Sequence, residues 1–352
     1  MSPGRVDWGA EWLRGEGKAS DVVMSSRIRL ARNFAGYPFV NRATREDRRQ
    51  IMARARRDIL ESALSPQMMW VDLNEVSSLE RSVLVERHLI SKQHAKGEEP
   101  RAAAVSSPDE RLAIMVNEED HLRIQVIRGG LSLREAFAQI RAVDDRIEQR
   151  SDFAFSPRFG YLTACPTNVG TGLRVSVMLH LPGLKLTGEI EKVRRAAKGM
   201  SLAVRGFYGE GSEAVGDFFQ ISNQTTLGRS EEEILSDFEG NIIPKVIEYE
   251  RLARRSLLDK RRTILEDKVF RSLGTLTHAR LLKSDEALEL LSYVRLGAVL
   301  GVVPGLKPEA VNQLILLTQP AHLQKVTGTD LDQAARRIER ATIIRQHLGA
   351  CA

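Results

Sequence analysis

The sequence predicts an α+β protein, with an antiparallel β-sheet flanked by helices over residues 21–256 and an all-helical region over 260–352. Three observations predict it. Apolar runs in the first two-thirds are joined as hairpins rather than through strict βαβ units. The clearest pair, Leu112–Val116 and His121–Ile127, is separated only by the polar tip Asn117-Glu118-Glu119-Asp120. Beyond about residue 260 nothing reads as a strand, and helical spacing is punctuated by Gly301, Pro304, Gly305 and Pro320.

Residues 1–20 are polar and glycine-containing, with Trp8 and Trp12 as their only large anchors. Asp21–Asn33 begins as a strand and alternates arginine with apolar residues. Thr44 and Asp47 open a helix to Leu64, whose face is Ile51, Ala55, Ile59 and Ala63. Met68–Leu73 reads as a strand, and Leu79–Ile90 as a helix carrying His88 near its end. Arg101–Ser106 precedes the hairpin. Ser132 with Glu135 then opens a helix with Phe137, Ile140, Val143 and Ile147 on one face. The stretch Cys165–Arg174 runs into the alternating strand Val175, Val177, Leu179, Leu181. Thr187–Lys198 is helical, and Leu202–Val204 and Phe218–Ile221 are strand-like, with a glycine-rich loop, Arg205–Gly211, between them. A long helix from Ser230 to about residue 258 leads into the basic run Arg251–Arg262, where the boundary lies. Lys260–Phe270, Ser284–Leu296, Lys307–Leu317 and Asp330–Leu348 complete the helical third.

At 352 residues the chain suffices for two domains and a sizeable core. Apolar and charged fractions of 42% and 28% are those of a soluble protein, and 5% aromatics disfavours a stacking platform for single-stranded nucleic acid. The charge of +6 favours anionic partners without choosing among them. Arginine outnumbers lysine heavily. It is the better bidentate phosphate ligand, although genome composition or thermal adaptation would enrich it equally. Cys165 and Cys351 form neither a disulfide framework nor a zinc or redox motif. No signal peptide or transmembrane run is read, so cytoplasm is the expected location.

Arg27, Arg29, Arg123, Arg174 and Arg205 interrupt apolar or glycine-rich stretches. Any one of them alone is more simply a solvated residue. Together on a sheet they require an anion opposite, and the triphosphate of a magnesium-bound nucleotide fits that demand. The chain has no G-x-x-x-x-G-K-[ST], and Gly170-Thr171-Gly172 lacks the third glycine of a dinucleotide fingerprint. Glu119 at the hairpin tip and Glu210 in the glycine-rich loop are two carboxylates on separate loops. Such a pair can hold a cationic guanidinium and take up its proton, while a plain polar turn accounts for the tip equally well. Cys165 is either an inert thiol or, beside arginines, a third anion. His88 on a helix reads as packing.

Four segments resemble the ATP:guanido phosphotransferases, the family of creatine and arginine kinases. They are Ser25-Ser26-Arg27-Ile28-Arg29, Asn117–Arg123, the Cys165–Arg174 signature Cys-Pro-x-Asn-x-Gly-Thr-Gly-Leu-Arg, and Ile221-Ser222-Asn223. They cover about residues 21–254 in the family's order. Arg205–Ala214 and the helical third most resemble the bacterial protein-arginine kinase branch. The resemblance implies a phosphagen-kinase-like catalytic domain over 21–256 after an N-terminal segment, 1–20, and a helical domain, 260–352, for dimerisation and regulation. Phosphagen kinases place a small helical domain before the Ser-Ser-Arg strand. Its absence would open the guanidinium pocket to side chains of proteins.

The resemblance also implies roles. Arg27, Arg29, Arg123, Arg174 and Arg205 would clamp the phosphates of Mg-ATP. Ser25, Ser26, Ile28, His88, Val175, Ser176, Val177, Met178, Gly206, Phe207, Tyr208 and Gly209 would complete the ATP site, with Mg²⁺ carried by the nucleotide and no direct protein ligand. Glu119 and Glu210 would orient the substrate guanidinium and accept its proton, with Cys165 beside it. The γ-phosphoryl would pass in line to an arginine nitrogen of a protein, marking it for a Clp-type protease. A stress-response repressor and a zinc-motif activator protein are the implied partners, with a homodimer and no direct nucleic-acid or membrane binding. Relatives carry an allosteric phosphoarginine motif, Arg-Asp-x-x-Arg-Ala. The matching stretch is Arg336-Arg337-Ile338-Glu339-Arg340-Ala341, with arginine where aspartate stands in the motif, leaving Arg336 and Arg340 to hold an anion. Two other readings are a kinase for free arginine or another small guanidino compound, and a non-catalytic adaptor or repressor-binding protein using its basic surface.

Overall fold

The computed structural model describes residues 10–206 and 215–349. Its centre is β1 (Val23–Arg32). Helix α1 (Arg45–Glu61) follows, opened by the reciprocal Thr44–Asp47 capping box. Then come β2 (Met68–Asp72), α2 (Ser78–Glu86) and the single turn α3 (Lys92–Lys96). β3 (Ala102–Ser106), β4 (Leu112–Val116) and β5 (Leu122–Gly129) form a meander, and α4 (Leu133–Glu148) returns across the sheet. A small separate hairpin, β6 (Phe155–Ser156) with β7 (Gly160–Tyr161), precedes β8 (Leu173–His180). α5 (Pro182–Leu186), α6 (Ile190–Gly199), β9 (Leu202–Arg205) and β10 (Phe218–Asn223) complete the sheet region. The main sheet has eight strands in the order β2-β3-β4-β5-β1-β8-β10-β9, and every pairing is antiparallel.

The expected long helix from Ser230 is α7 (Glu231–Ser236), a π turn (Asp237–Ile242) and α8 (Ile243–Lys260). Pro244, which cannot donate an in-helix hydrogen bond, sits just after the π turn. Beyond it come α9 (Arg262–His278), α10 (Ser284–Val299), α11 (Pro308–Leu317), α12 (Pro320–Thr327) and α13 (Gln333–Leu348). Sequence reading passed over α5 and α12, both of which start at a proline. His88 differs from its expected place. α2 ends at Glu86, and His88 follows it with φ +60, the left-handed conformation that stops a helix. Ser132 does not cap α4. Its hydroxyl donates instead to the Gly129 carbonyl.

The strand period of two separates the faces of the sheet. Ile28, Leu30, Ile124, Val126, Val175, Val177 and Ile221 point to one face. There they pack against Ile51 and Ile59 of α1, Ile140 and Val143 of α4, and Phe238, Ile243 and Ile247 from the π turn and α8. Each buried aliphatic side chain contributes about 1.5–3 kcal/mol. On the other face the carrier residues split. Met24, Ile127, Met178 and Phe218 pack against the C-terminal helices, and the remainder is polar.

Arg295 of α10 holds the helical region to the sheet. It is 1% exposed and donates to Asn312 Oδ1 at 2.8 Å, His180 Nδ1 at 2.8 Å and the carbonyls of Ser20 and Asp21 at 2.8 and 3.2 Å. Burial, then neighbouring Arg254, pushes its guanidinium down to about 9. His180 is held neutral by burial and by Arg295 and Arg254, so its Nδ1 accepts while Nε2 meets Ser292 Oγ at 2.9 Å. Arg254 in turn bonds Glu250, which accepts the backbone N–H groups of Gly183 and Leu184.

Candidate active site

Cross-strand register places the predicted arginines side by side. Arg29 lies opposite Arg174 on one neighbour and Gln125 on the other, and Arg27 opposite Ser176 and Ile127. Ala31 pairs with Arg123, and Arg205 with Gln220. Directly opposed residues share a face, so all of these stand on the polar side of the sheet. Arg27, Arg29, Arg123, Arg174 and Arg205 line one cleft with His88, Ser91, Lys92, Glu118 and Gln220. Burial followed by repulsion from Arg174, Arg123 and Arg205 pushes Arg27 down to about 10. Burial followed by Arg27, Arg123 and Arg174 holds Arg29 well below the ordinary arginine range. So much like charge in one place is costly unless an anion joins it. Orphaned polar atoms agree. Arg29 Nε, Ser176 Oγ and Gln220 Nε2 are buried without a hydrogen-bond partner among the described residues. The residues fit a polyphosphate.

The hairpin between β4 and β5 divides its four tip residues among four tasks. Asn117, at φ +60, donates to the carbonyls of Arg48 and Pro100 and fixes the turn. Glu118 points inward with a side chain 5% exposed, taking Arg123 Nη1 and Ser91 Oγ, each at 2.7 Å. Burial alone would raise its carboxyl, but Arg123, Ser91 and His94 outweigh that and hold it below the ordinary range. Glu119 points outward with a side chain 41% exposed and accepts Arg123 Nη2 at 2.7 Å. Asp120 is buried and accepts from Asn33 Nδ2 and from the Ala164 N–H, each at 2.7 Å. It therefore fastens the residue before Cys165 to the hairpin.

Cys165 sits at the mouth of this arrangement, half-buried, with Sγ 3.0 Å from Thr167 Oγ1. A 3-10 turn, Pro166–Asn168, follows, and Asn168 Nδ2 approaches Glu119 Oε2 at 3.5 Å. Thr226 Oγ1 donates to the carbonyls of Thr167 and Val169, clamping the turn. Gly172 has φ +65, and a Cβ there would stand 2.7 Å from the Ala31 carbonyl. Asn223 accepts the Val175 N–H at 2.8 Å and donates to the Leu173 carbonyl, fixing the start of β8.

Ser25 and Ser176 lie on the cleft side of the sheet, with Met178 beyond them. Ser26, Ile28, Val175 and Val177 are on the buried side, where Ser26 donates to the Gly130 carbonyl. Their link to the cleft is through backbone and position. Gly206 ends the described part of the glycine-rich loop. Phe207, Tyr208, Gly209 and Glu210 lie outside the described residues, as does Cys351.

The family model for the ATP:guanido phosphotransferase C-terminal catalytic domain matches residues 50–253. The chain belongs to the ATP:guanido phosphotransferase family. A second model, the protein-arginine kinase McsB C-terminal domain, matches residues 262–352. Among curated relatives, a protein-arginine kinase of Symbiobacterium thermophilum is 48% identical over 97% of this chain and 97% of its own. One of Syntrophomonas wolfei subsp. wolfei is 46% identical over 96% of this chain and 94% of its own. Among solved structures, a lombricine kinase superposes with TM-score 0.56 at 25% identity over 68% of each chain. A duplicated taurocyamine kinase of Schistosoma mansoni, with transition-state analogue components bound, has TM-score 0.60 at 18% identity. It covers 85% of this chain and 50% of its own, a likeness of fold alone.

As a guanido phosphotransferase the chain is an enzyme that uses ATP as phosphoryl donor, so the adaptor reading falls. Sequence reading did not single out Glu118, Gln125 or Gln220 of the cleft. Gln125 and Gln220 are on the period of two with Arg123 and opposite Arg205, and that parity was the available signal. In the C-terminal region Arg340 is 3% exposed and donates to the carbonyls of Thr318 at 2.7 Å and Leu282 at 3.0 Å. Arg336 donates to the Leu331 carbonyl and lines a separate pocket between α2 and α12.

Proposed function

We propose that this chain is a protein-arginine kinase in which the arginine face of the sheet binds ATP and the Glu119 side receives an arginine side chain of a protein. The observation that carries it is Arg123, whose guanidinium spans Glu118 on the nucleotide side and Glu119 on the open side. It joins the two half-sites that an in-line transfer brings together.

Arg27, Arg29, Arg123, Arg174 and Arg205 bind the phosphates and neutralise charge in the transition state. Mg²⁺ enters with the nucleotide, where it would offset phosphate charge. Among the described residues no group of three metal-ligating side chains exists to hold it. Glu119, with Glu210, orients the incoming guanidinium and takes its proton, because a guanidinium is a nucleophile only after losing one. Cys165 adds a polar group at the mouth. The exposure of Glu119 suits a side chain presented on a protein surface, which favours protein substrates over free arginine. The near full-length likeness to protein-arginine kinases supports the same choice.

The helical region, 260–352, serves dimerisation and regulation, with the catalytic domain over 21–256. Arg336 and Arg340 mark the place of a phosphoarginine signal. Arg340's carbonyl partners give it a structural duty there, and Arg336 is the freer anion ligand. The phosphorylated proteins pass to a Clp-type protease, and a stress-response repressor and a zinc-motif activator are the regulatory partners. Among the described residues no helix is long and apolar enough to cross a membrane, and the cytoplasm is the proposed site of action.

The test incubates the protein with labelled ATP and either an arginine-bearing protein or free arginine. Acid-labile, alkali-stable label on the protein supports the reading. Label in free arginine alone, or acid-stable label, overturns it.

A further inference from the structure

The strand period of β1 puts Arg27 and Arg29 on the cleft side of the sheet and Arg32 on the other side, with Ile28 and Leu30. Arg32 is 1% exposed, on a face that is otherwise apolar, and it is not among the residues lining the cleft. Its Nε and Nη2 pair with Asp144 of α4, the shortest contact being Nη2 to Oδ2 at 2.6 Å. Desolvation offsets the attraction within such a buried pair, and well-packed apolar side chains of similar size would hold the core as well. Stability alone does not account for a cation there. Its other contacts do.

Those contacts reach the Cys165–Arg174 loop. Nη1 donates to the Thr171 carbonyl at 2.9 Å and to the Ala31 carbonyl at 3.0 Å. The flat of the guanidinium lies over the Tyr161 ring, 3.5 Å from its centroid. The Tyr161 N–H donates to the Gly170 carbonyl at 2.8 Å, and the Gly170 N–H donates back to the Tyr161 carbonyl at 3.3 Å. The Gly172 carbonyl accepts the Ala31 N–H at 3.1 Å. Gly170, Thr171 and Gly172 are thus fixed in turn by Tyr161, Arg32 and Ala31. A guanidinium suits this place because its planar fork meets a carboxylate with one edge, reaches carbonyls with the remaining nitrogen and leaves its face for the ring. The three loop residues join the turn at Cys165–Asn168, which approaches Glu119, to Arg174 in the arginine cleft.

We infer that Arg32 is a positioning residue for phosphoryl transfer, setting from the buried side of the sheet the span between the guanidinium end of the Cys165–Arg174 loop and its phosphate end. The inference rests on the two half-sites proposed above and adds what fixes their separation. Arg174 itself is held in the ladder between β1 and β8, opposite Arg29, and Asn223 fixes the start of β8. Loss of Arg32 therefore releases the Cys165 end and spares the phosphates. A misplacement of about 1 Å suffices to slow a reaction of aligned groups about 100-fold.

Two variants test it. R32M/D144L replaces the buried pair with apolar side chains. R32K keeps a charge for Asp144 and has no fork to reach the Thr171 carbonyl as well. Steady-state transfer from Mg-ATP to an arginine-bearing protein is measured together with ADP titration and urea unfolding. In both variants kcat falls about 10- to 100-fold, while KM for the protein and ADP affinity stay within about threefold. R32M/D144L does so with an unfolding midpoint at or above that of the wild type. A residue that merely holds the core would lower kcat only with the folded fraction. R32M/D144L that keeps its kcat therefore overturns the inference, as does a loss of ADP affinity equal to the loss of kcat. Should R32M/D144L not fold, R32K decides alone below its unfolding transition, where an undiminished kcat overturns the inference. Wild type that binds ADP and transfers nothing to protein overturns the reading of the two half-sites itself, and the role of Arg32 with it.

Discussion

Arg29 of β1 and Arg174 of β8 face each other directly across two antiparallel strands, on the same side of the sheet. Like charges in that position oppose folding, and both stand in a cleft that Arg27, Arg123 and Arg205 also line. The fold therefore holds a charge conflict that the phosphates of the proposed nucleotide would relieve. Stability elsewhere, in the apolar face against α1, α4 and α8, carries it.

Arg29→Met follows from that conflict. Removing one cation relieves repulsion and desolvation, so the ligand-free protein gains about 1 kcal/mol. ADP affinity falls roughly 10- to 100-fold, the worth of a charge-assisted hydrogen bond. Urea unfolding and ADP titration of the same variant measure both. A less stable variant with intact ADP binding would contradict the account.

His88 provides a pH signature. Burial, then the nearby charges of Arg27 and Lys92, pushes its imidazole down to about 3, against an ordinary value of 6.5. The unfolded chain thus binds a proton between those values that the folded protein refuses. Stability from this group is complete above pH 6.5 and falls as pH drops toward 3, by about 1.4 kcal/mol per unit. Between pH 6.5 and 5 the wild type loses about 2 kcal/mol through His88. Urea midpoints of His88→Gln over this range show a correspondingly shallower slope, and an unchanged slope would refute the assignment.

Glu118 and Glu119 are adjacent in sequence and opposite in role, and their amides separate the roles. Glu118 is buried on Arg123, so Glu118→Gln removes the buried carboxylate of a half-buried cation that keeps Glu119, and costs about 2 kcal/mol, the worth of a charge-assisted hydrogen bond. Glu119 is largely exposed, and its ion pair contributes about 1 kcal/mol or less. Glu119→Gln therefore keeps its unfolding midpoint and its ADP affinity, while phosphoryl transfer to a protein falls about 100-fold or more. Undiminished transfer in this variant would remove Glu119 from the chemistry.

Much of this site was legible because strand parity is written in the chain. Arg27, Arg29, Arg123 and Arg174 interrupt apolar alternation, and such a pattern puts them on one face once the strands pair antiparallel. The tip residues Asn117–Asp120 were legible as a turn and not as four separate tasks, because Asp120 and Asn33 find each other across 87 positions. Trp12 was legible only as an anchor, since its ring meets His88 through a fold that brings residue 12 beside residue 88. The end of α2 was misplaced for a local reason. The apolar spacing runs on to Ile90, while the Glu86 carboxylate is drawn to the N–H groups of Ala321 and His322 at the start of α12. No local pattern announces such a partner.

Gly172 ties the Cys165–Arg174 loop to the central strand, and its substitution separates strain from collision. Gly172→Ala must keep φ +65 while placing a methyl group 2.7 Å from the Ala31 carbonyl and 2.8 Å from Arg32 Nη1. Neither yields readily. The Gly172 carbonyl itself accepts the Ala31 N–H, and Arg32 is held by Asp144 and the Thr171 carbonyl. Gly188 has a similar φ of +77, and a methyl group added there would have no atom within 4 Å, so Gly188→Ala meets strain alone. Gly188→Ala costs about 1 kcal/mol and Gly172→Ala about 2–4 kcal/mol in urea unfolding. Gly172→Ala also displaces Arg174, which stands two residues on, and weakens ADP, whereas Gly188→Ala binds ADP as the wild type does. Equal costs for the two glycines would show that backbone strain, and not the close approach to β1, is what reserves position 172 for glycine.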